Sequence, residues 1–346
     1  MQSYYWYLTT QIVQWICLVL SIVVNTFLLL MINLKSPKNI GQYRYLMVSF
    51  STFCLFLSVL TALGRPTFVA HGHCFIVFSA IDKETLPAPL RWGLTTLYST
   101  TSAISVCLTA VQFIYRYCVI CRPSSIRYFS GKRLLYWYLG IGVVIVDWLF
   151  LCIGPARKRA EITEYMRAAV EVSLEVKIDE LEYLGVQFVH INNQGEEVYN
   201  MEAIFLIINI VVILSTVSLI SFYCGLKTYF KSLTIVKSNN FDDEFNNQIF
   251  FALIAQTSIP FVFMFTPIMV IVSAPLLNFD AGVLIFISTM SMAIYPIIDP
   301  LAVLFIVSNY RKSLVPMLKP NKWRQIVQSK LIASQATVET IDVDIL

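Results

Sequence analysis

Residues 11–34, QIVQWICLVLSIVVNTFLLLMINL, run for 24 positions without a charged side chain. As a helix, a run of this length crosses a ~30 Å hydrocarbon core. Outward from it the pattern repeats six times, at 45–63, 92–115, 134–153, 201–224, 248–273 and 282–307. The seven stretches hold 163 of 346 residues, yet all 25 Lys and Arg fall outside them. No basic region precedes the first run, which exceeds the roughly 7–15-residue core of a signal peptide, so it is expected as a retained first helix. The fold class that follows is an all-α membrane protein, a seven-span helical bundle over 1–320 with a tail over 321–346. An odd number of spans puts the termini on opposite sides of the membrane.

Composition points the same way. Hydrophobic residues make up 57%, charged residues 13%, and mean hydropathy is +0.70. Soluble domains carry about 25% charged residues. A net charge of +4 gives no footprint for nucleic acid. There is no Cys/His zinc pattern, phosphate-cradling Gly-rich loop or nucleophile elbow. No cofactor, metal or enzymatic activity is expected. His71-Gly-His-Cys74 gathers three ligand types without a fourth, which is too few for a zinc site. No Asn-x-Ser/Thr sequon occurs, so N-glycosylation is not expected.

Basic residues set the orientation. With the N-terminus outside, the inner loops and tail carry 17 Lys and Arg and the outer segments 8. The positive-inside rule favours this N-out, C-in arrangement. Loop 116–133 has five basic residues and no acid, whereas loop 154–200 has five against nine acids. The outer loop 154–200 is the one sizeable soluble piece. Lys158 to Glu180 has helix-like apolar spacing (Ile162, Tyr165, Met166, Ala169, Val170). Val186–Ile191, a turn at Asn192–Gly195, and 196–199 read as strand, turn, strand. This predicts a short helix and a β-hairpin over the bundle. On the inner side, 308–316 reads as an amphipathic turn along the membrane face. Cys74 and Cys152 are the two thiols near the oxidising side and are open to a single disulfide.

Candidate functional residues stand out against the apolar background. The outer half of span three is rich in hydroxyls, and 95, 98, 99, 102 and 106 share a helix face. Such hydroxyls often bond only their own backbone. The alternative is that Thr95, Ser99 and Ser102 line a ligand cavity, with Phe205, Ile208, Phe263 and Met292 as its apolar wall. Asp147 and Asp299 lie within spans, where a carboxylate is costly unless paired, hydrogen-bonded or wet. No Lys or Arg within the spans can serve them, so hydroxyl, amide or water partners are expected. Pro260, Pro267, Pro296 and Pro300 each free a carbonyl and can bend spans six and seven. With Asp299 they are the candidate hinge and switch residues. Arg116 ends span three between Tyr115 and Tyr117, either snorkelling to headgroups or contacting a cytosolic partner.

Several motifs together resemble a known family. They are Lys35-Ser-Pro-Lys-Asn-Ile-Gly-Gln-Tyr-Arg-Tyr-Leu-Met47, Gln112-Phe-Ile-Tyr-Arg-Tyr117, Gln256-Thr-Ser-Ile-Pro260, and Tyr295-Pro-Ile-Ile-Asp-Pro-Leu301 with Tyr310-Arg311. In order and spacing they are similar to the nematode Str-type serpentine chemoreceptors, across nearly the whole chain. The resemblance implies a seven-helix G-protein-coupled receptor of chemosensory neurons. It implies a small-molecule odorant or other chemical cue as ligand and a heterotrimeric G protein as partner. The site is then the plasma membrane, in the cilium of a chemosensory neuron. It assigns Tyr115, Arg116 and Tyr117 to G-protein coupling, and loop 116–133 to the G protein and anionic lipid. Asn25 resembles the first-helix asparagine of the wider superfamily. The chain departs from the rhodopsin-like members in three ways: Tyr115 replaces the acid before the arginine, span two has no Asp, and loop 154–200 has no Cys. A transporter or ligand-gated channel is the alternative. It would call for intramembrane ionisable groups at one depth or broken-helix repeats.

Overall fold

A computed structural model describes residues 2–35, 43–191, 196–238, 258–279 and 281–306. Seven helices in it are long and apolar enough to cross a membrane. They are α1 (Gln2–Lys35), α2 (Tyr43–Gly64), α3 (Ala88–Cys121), α4 (Leu134–Ile153), α6 (Met201–Ser238), the helical run Ser258–Leu276, whose last part is α7 (Thr266–Leu276), and α8 (Gly282–Ile306), with α5 (Ala160–Leu174) in the loop after α4. The Asn192–Gly195 turn, the first part of span six, the 308–316 segment and the 321–346 tail lie outside the described residues.

Apolar sequence dictates the helices, since every backbone polar group within lipid must bond internally. Polar side chains then decide how they associate, because lipid is as apolar as the helix faces. α3 is central and packs on α2, α4 and α6, while α1 packs on α2 and α8. Asn25 of α1 is fully buried. Its Nδ2 donates to the Pro296 carbonyl at 2.9 Å and to Ser21, and Ser51 Oγ of α2 donates to its Oδ1 at 2.9 Å. The acceptor is the one that proline chemistry requires. Pro300 has no N–H to give the carbonyl four residues back, so the Pro296 oxygen is free for Asn25. One asparagine thus ties three helices at the proline pair in α8.

The start of α7 shows a second proline effect. Phe261–Phe265 forms a π-helical turn, with the Thr266 N–H bonding the Phe261 carbonyl. Thr266 Oγ1 donates to the same oxygen at 2.8 Å. The Pro267 ring would crowd the Phe263 carbonyl in a regular helix, and the wider turn relieves that.

At the end of the bundle away from Arg116, the loops build a cap that sequence reading does not show in full. β1 (Pro66–His71) and β2 (Cys74–Ser79) form an antiparallel hairpin, and β3 (Tyr183–Gln187) from the loop after α4 adds to β2. The segment read as one strand from Val186 divides. Its start belongs to β3, and β4 (Val189–Ile191) pairs separately with β5 (Glu197–Tyr199). Side chains alternate across the three-stranded sheet. Val77, Leu184 and Val186 face the bundle core, whereas Cys74, Ile76, Phe78 and Tyr183 pack on Ile162, Met166 and Val170 of α5. Loop 154–200 is therefore fastened to the first loop by a backbone ladder rather than by a disulfide. All eight cysteines are free thiols. Cys74 and Cys152 do not pair, because they lie in separate clusters on opposite faces of this sheet. Burial pushes the Cys74 thiol above its usual range.

Ion pairs hold the outside of the cap. Arg167 of α5 bonds both carboxylate oxygens of Asp179, Lys83 bonds one of Glu180, and each holds its partner carboxyl below the usual range. Arg91, buried at the start of α3, donates to the Glu180 carbonyl at 2.6 Å. Packing leaves no room at Gly185, where a Cβ would lie 2.9 Å from Ile76 Cγ2 and 2.8 Å from the Tyr183 ring. Gly185→Ala is expected to destabilise the cap by about 1–3 kcal/mol. Thermal unfolding of the purified protein checks this, with Gly140→Ala as control, since a Cβ there meets nothing within 4 Å.

Candidate functional site

Beneath the sheet lies a cavity of about 120 Å³. Its roof is Phe68, Phe75, Val77, Leu184 and Val186; its walls come from α3, α4, α6, α7 and α8. No charged side chain lines it. The few polar groups are Tyr98, Ser99 and Ser102 of α3 and Trp148 and Cys152 of α4. Ser99 Oγ accepts the Trp148 indole N–H at 3.0 Å, which ties α4 to α3 across the cavity, and the Cys152 thiol lines the same wall. Ser102 Oγ donates to the Tyr98 carbonyl at 2.9 Å. Such a site suits a small uncharged molecule with one or two hydrogen-bonding atoms.

Of the residues expected to line it, Ser99, Ser102 and Met292 do so. Thr95 does not; it is buried and its hydroxyl bonds its own helix at the Arg91 carbonyl. Phe205 and Ile208 are 52% and 57% exposed on the outer face of α6, and Leu206 and Ile210 take their place. α6 is apolar on all sides, so periodicity does not distinguish its lipid face from its bundle face. Phe263 sits in the π-helical turn and packs on the core away from the cavity, while Ile268 and Ile271 supply that wall. Sequence reading missed Trp148 and the whole roof. The His71–Cys74 cluster disperses. His71 packs on the Tyr165 ring, His73 Nδ1 lies 3.1 Å from the Pro275 carbonyl, and Cys74 is buried. Among the described residues no group of three potential metal ligands forms.

The other end of α3 carries Tyr115-Arg116-Tyr117. At about 100° per residue, three successive side chains point three ways. Tyr115 is buried edge-on against Phe129 at 5.1 Å, and Phe129 stacks on Trp137 at 4.8 Å, which seats loop 116–133. Tyr117 meets Tyr223 of α6. Arg116 turns toward α8, where it, Gln112 and Asp299 line a cavity of about 20 Å³. Asp299 is 2% exposed; its Oδ2 and the Arg116 Nε are buried without a hydrogen-bond partner. A space of this size holds about one water molecule. The second intramembrane acid, Asp147 of α4, accepts a hydrogen bond from Asn209 Nδ2 of α6 at 3.1 Å.

Residues 10–315 match the family described as the serpentine type 7TM GPCR chemoreceptor Str. The chain belongs to this Str family. Similar curated proteins agree. Serpentine receptor class r-10 of Caenorhabditis elegans is 28% identical over 313 residues, covering 86% of this chain and 88% of the relative. G-protein coupled receptor str-217 of the same species is 26% identical over 307 residues, covering 87% and 88%. The r-10 receptor of Caenorhabditis briggsae is 25% identical over 317 residues, covering 89% and 90%. This Str receptor is thus a multi-pass membrane protein of the chemoreceptor type, in a family of receptors rather than enzymes.

In this Str receptor α8 links the two cavities. Met292 lines the large cavity. One turn on, the Tyr295 hydroxyl meets Thr109 Oγ1 of α3 at 3.1 Å. Pro296 gives its carbonyl to Asn25, and Asp299 and Pro300 reach the cavity beside Arg116. The candidate hinge prolines fall on both sides: Pro260 precedes the π-helical turn, and Pro267 opens α7.

Proposed function

We propose that this Str receptor binds a small, uncharged odorant in the cavity beneath the sheet and activates a heterotrimeric G protein through the Arg116 end. The sheet end faces outside and the Arg116 end faces the cytosol of a chemosensory cilium, in keeping with 17 basic residues inside against 8 outside. The carrying observation is the cavity itself: apolar, roofed, lined by two serine hydroxyls, and linked to Arg116 through α3 and α8. A ligand must bind the active arrangement better than the resting one to shift the population. Met292 is where ligand contact reaches α8, and the π-helical turn between Pro260 and Pro267 is where α7 bends. Arg122, Arg127, Lys132 and Arg133 surround the coupling face and suit the G protein and anionic lipid.

The test is expression with candidate Gα subunits and an odorant screen, followed by Ser102→Phe. Overfilling a packed site costs about 1–3 kcal/mol, so sensitivity should fall roughly five- to hundredfold with surface delivery intact. An unchanged response to the same odorant would remove the cavity as the binding site.

A further inference from the structure

The roof over the cavity is closed by backbone bonds. The Gly185 N–H donates to the Ala156 carbonyl at 2.8 Å, and the Phe188 N–H to the His73 carbonyl at 2.9 Å. Phe68, Phe75 and Val186 fill the space below. The side between α4 and α6 is built differently. Both helices pack on α3 and hardly on each other. Leu151 and Cys152 line the cavity from one side of this seam, Leu206 and Ile210 from the other. Just outside it lies a groove of about 880 Å³, where Phe150, Ile153, Met201 and Phe205 are each more than half exposed and which Arg157, Lys158, Arg159 and Glu202 also line. In a membrane-spanning bundle these side chains meet lipid. Lipid replaces apolar contact between helices at little loss, so polar ties hold such a seam shut. Two cross it. Arg159, just past α4, pairs with Glu202 of α6, and Asn209 bonds Asp147. The second tie places a carboxylate within the apolar layer, which is costly without a task.

We infer that ligand enters the cavity from within the bilayer, through the α4–α6 seam, with the Asn209–Asp147 and Arg159–Glu202 ties as its latch. The class of ligand is then an uncharged molecule that partitions into lipid. This rests on the cavity being the ligand site.

Cys152 reports on the route without any agonist. The full chain in phosphatidylcholine liposomes is treated with uncharged methyl methanethiosulfonate or its charged trimethylammonium-ethyl counterpart, and Cys152 modification is timed by peptide mass spectrometry. The uncharged reagent should react and the charged one should lag far behind. Asn209→Ala removes a hydrogen bond to a charged group and should speed the reaction about tenfold. Where that variant fails to fold, Glu202→Gln loosens the other tie and should act in the same direction. In the double variant Asp147→Cys with Asn209→Cys, joining the two new thiols with a short bifunctional reagent should slow Cys152 modification relative to the same sample before joining. Equal rates before and after joining, or equal reaction with the charged reagent, would overturn the route and point to the α6–α7 flank or the roof. A Cys152 reached through the seam in a receptor indifferent to Ser102→Phe would keep the route and remove the ligand reading instead.

Discussion

With Arg116 replaced by alanine, the receptor is expected to reach the membrane and to give no measurable G-protein activation at any odorant concentration. Arg116 is the one guanidinium at the end of α3 that is turned into the bundle, and Tyr115 and Tyr117 on either side hold α3 against loop 116–133 and α6. Removing it also leaves Asp299 buried with no positive charge beside it. An unsatisfied charged group costs about 1–3 kcal/mol or more, so a fall in thermal stability should accompany the loss of signalling. The double variant Arg116→Ala with Asp299→Ala separates the two effects. It should regain much of the stability, because neither charge is left alone, while remaining silent. Full signalling by Arg116→Ala in a Gα activation assay would remove the coupling role assigned to it. Arg116→Lys should be intermediate, because it keeps the charge but loses the planar fork.

Asp299→Asn should do the opposite and raise activation in the absence of odorant. The carboxylate and Arg116 line one small cavity where α1, α2, α3 and α8 meet, and opposite charges there favour a guanidinium held inside rather than offered to a cytosolic partner. Asparagine keeps the shape and removes the charge. The two charges share the cavity without a direct bond, and losing an attraction on the order of 1 kcal/mol shifts a two-state population roughly fivefold. Basal nucleotide exchange on the coupled Gα, normalised to surface receptor, measures it. A basal rate at or below the unmodified level would show that Asp299 does not restrain Arg116.

The membrane-spanning part of this fold was open to reading from its apolar runs, because a lipid environment permits little besides helix there. The boundaries were less so. α3 continues past both ends of 92–115, to Ala88 and Cys121, since helices extend beyond the hydrocarbon where backbone bonds still form. The sheet was only half legible. β2 reads Cys-Phe-Ile-Val-Phe-Ser, and with both faces covered it shows no alternation of polar and apolar residues. Its pairing with β3 joins segments about 110 residues apart, and nothing local announces such a contact. At the cavity, Ser99 and Ser102 were legible from the hydroxyl-rich face of span three, whereas Thr95, Phe205, Ile208 and Phe263 do not line it. The amide partner of Asp147 was foreseeable in kind but not in identity, because Asn209 lies in a different helix. The closeness of Arg116 to Asp299 was hidden for a related reason: Arg116 was counted as lying beyond the end of its span, although the helix carries its side chain back into the bundle.

The roof of the cavity has a consequence for how such receptors diversify. Backbone ladders fix the positions of its strands, and those bonds do not depend on which side chains hang below. Phe68, Phe75, Leu184 and Val186 can therefore be exchanged for other apolar residues with the scaffold left standing. Because two distant gene segments each write half of this surface, separate changes in either one reshape the same space, and a small number of substitutions can recast the cavity without rebuilding the far end of the bundle.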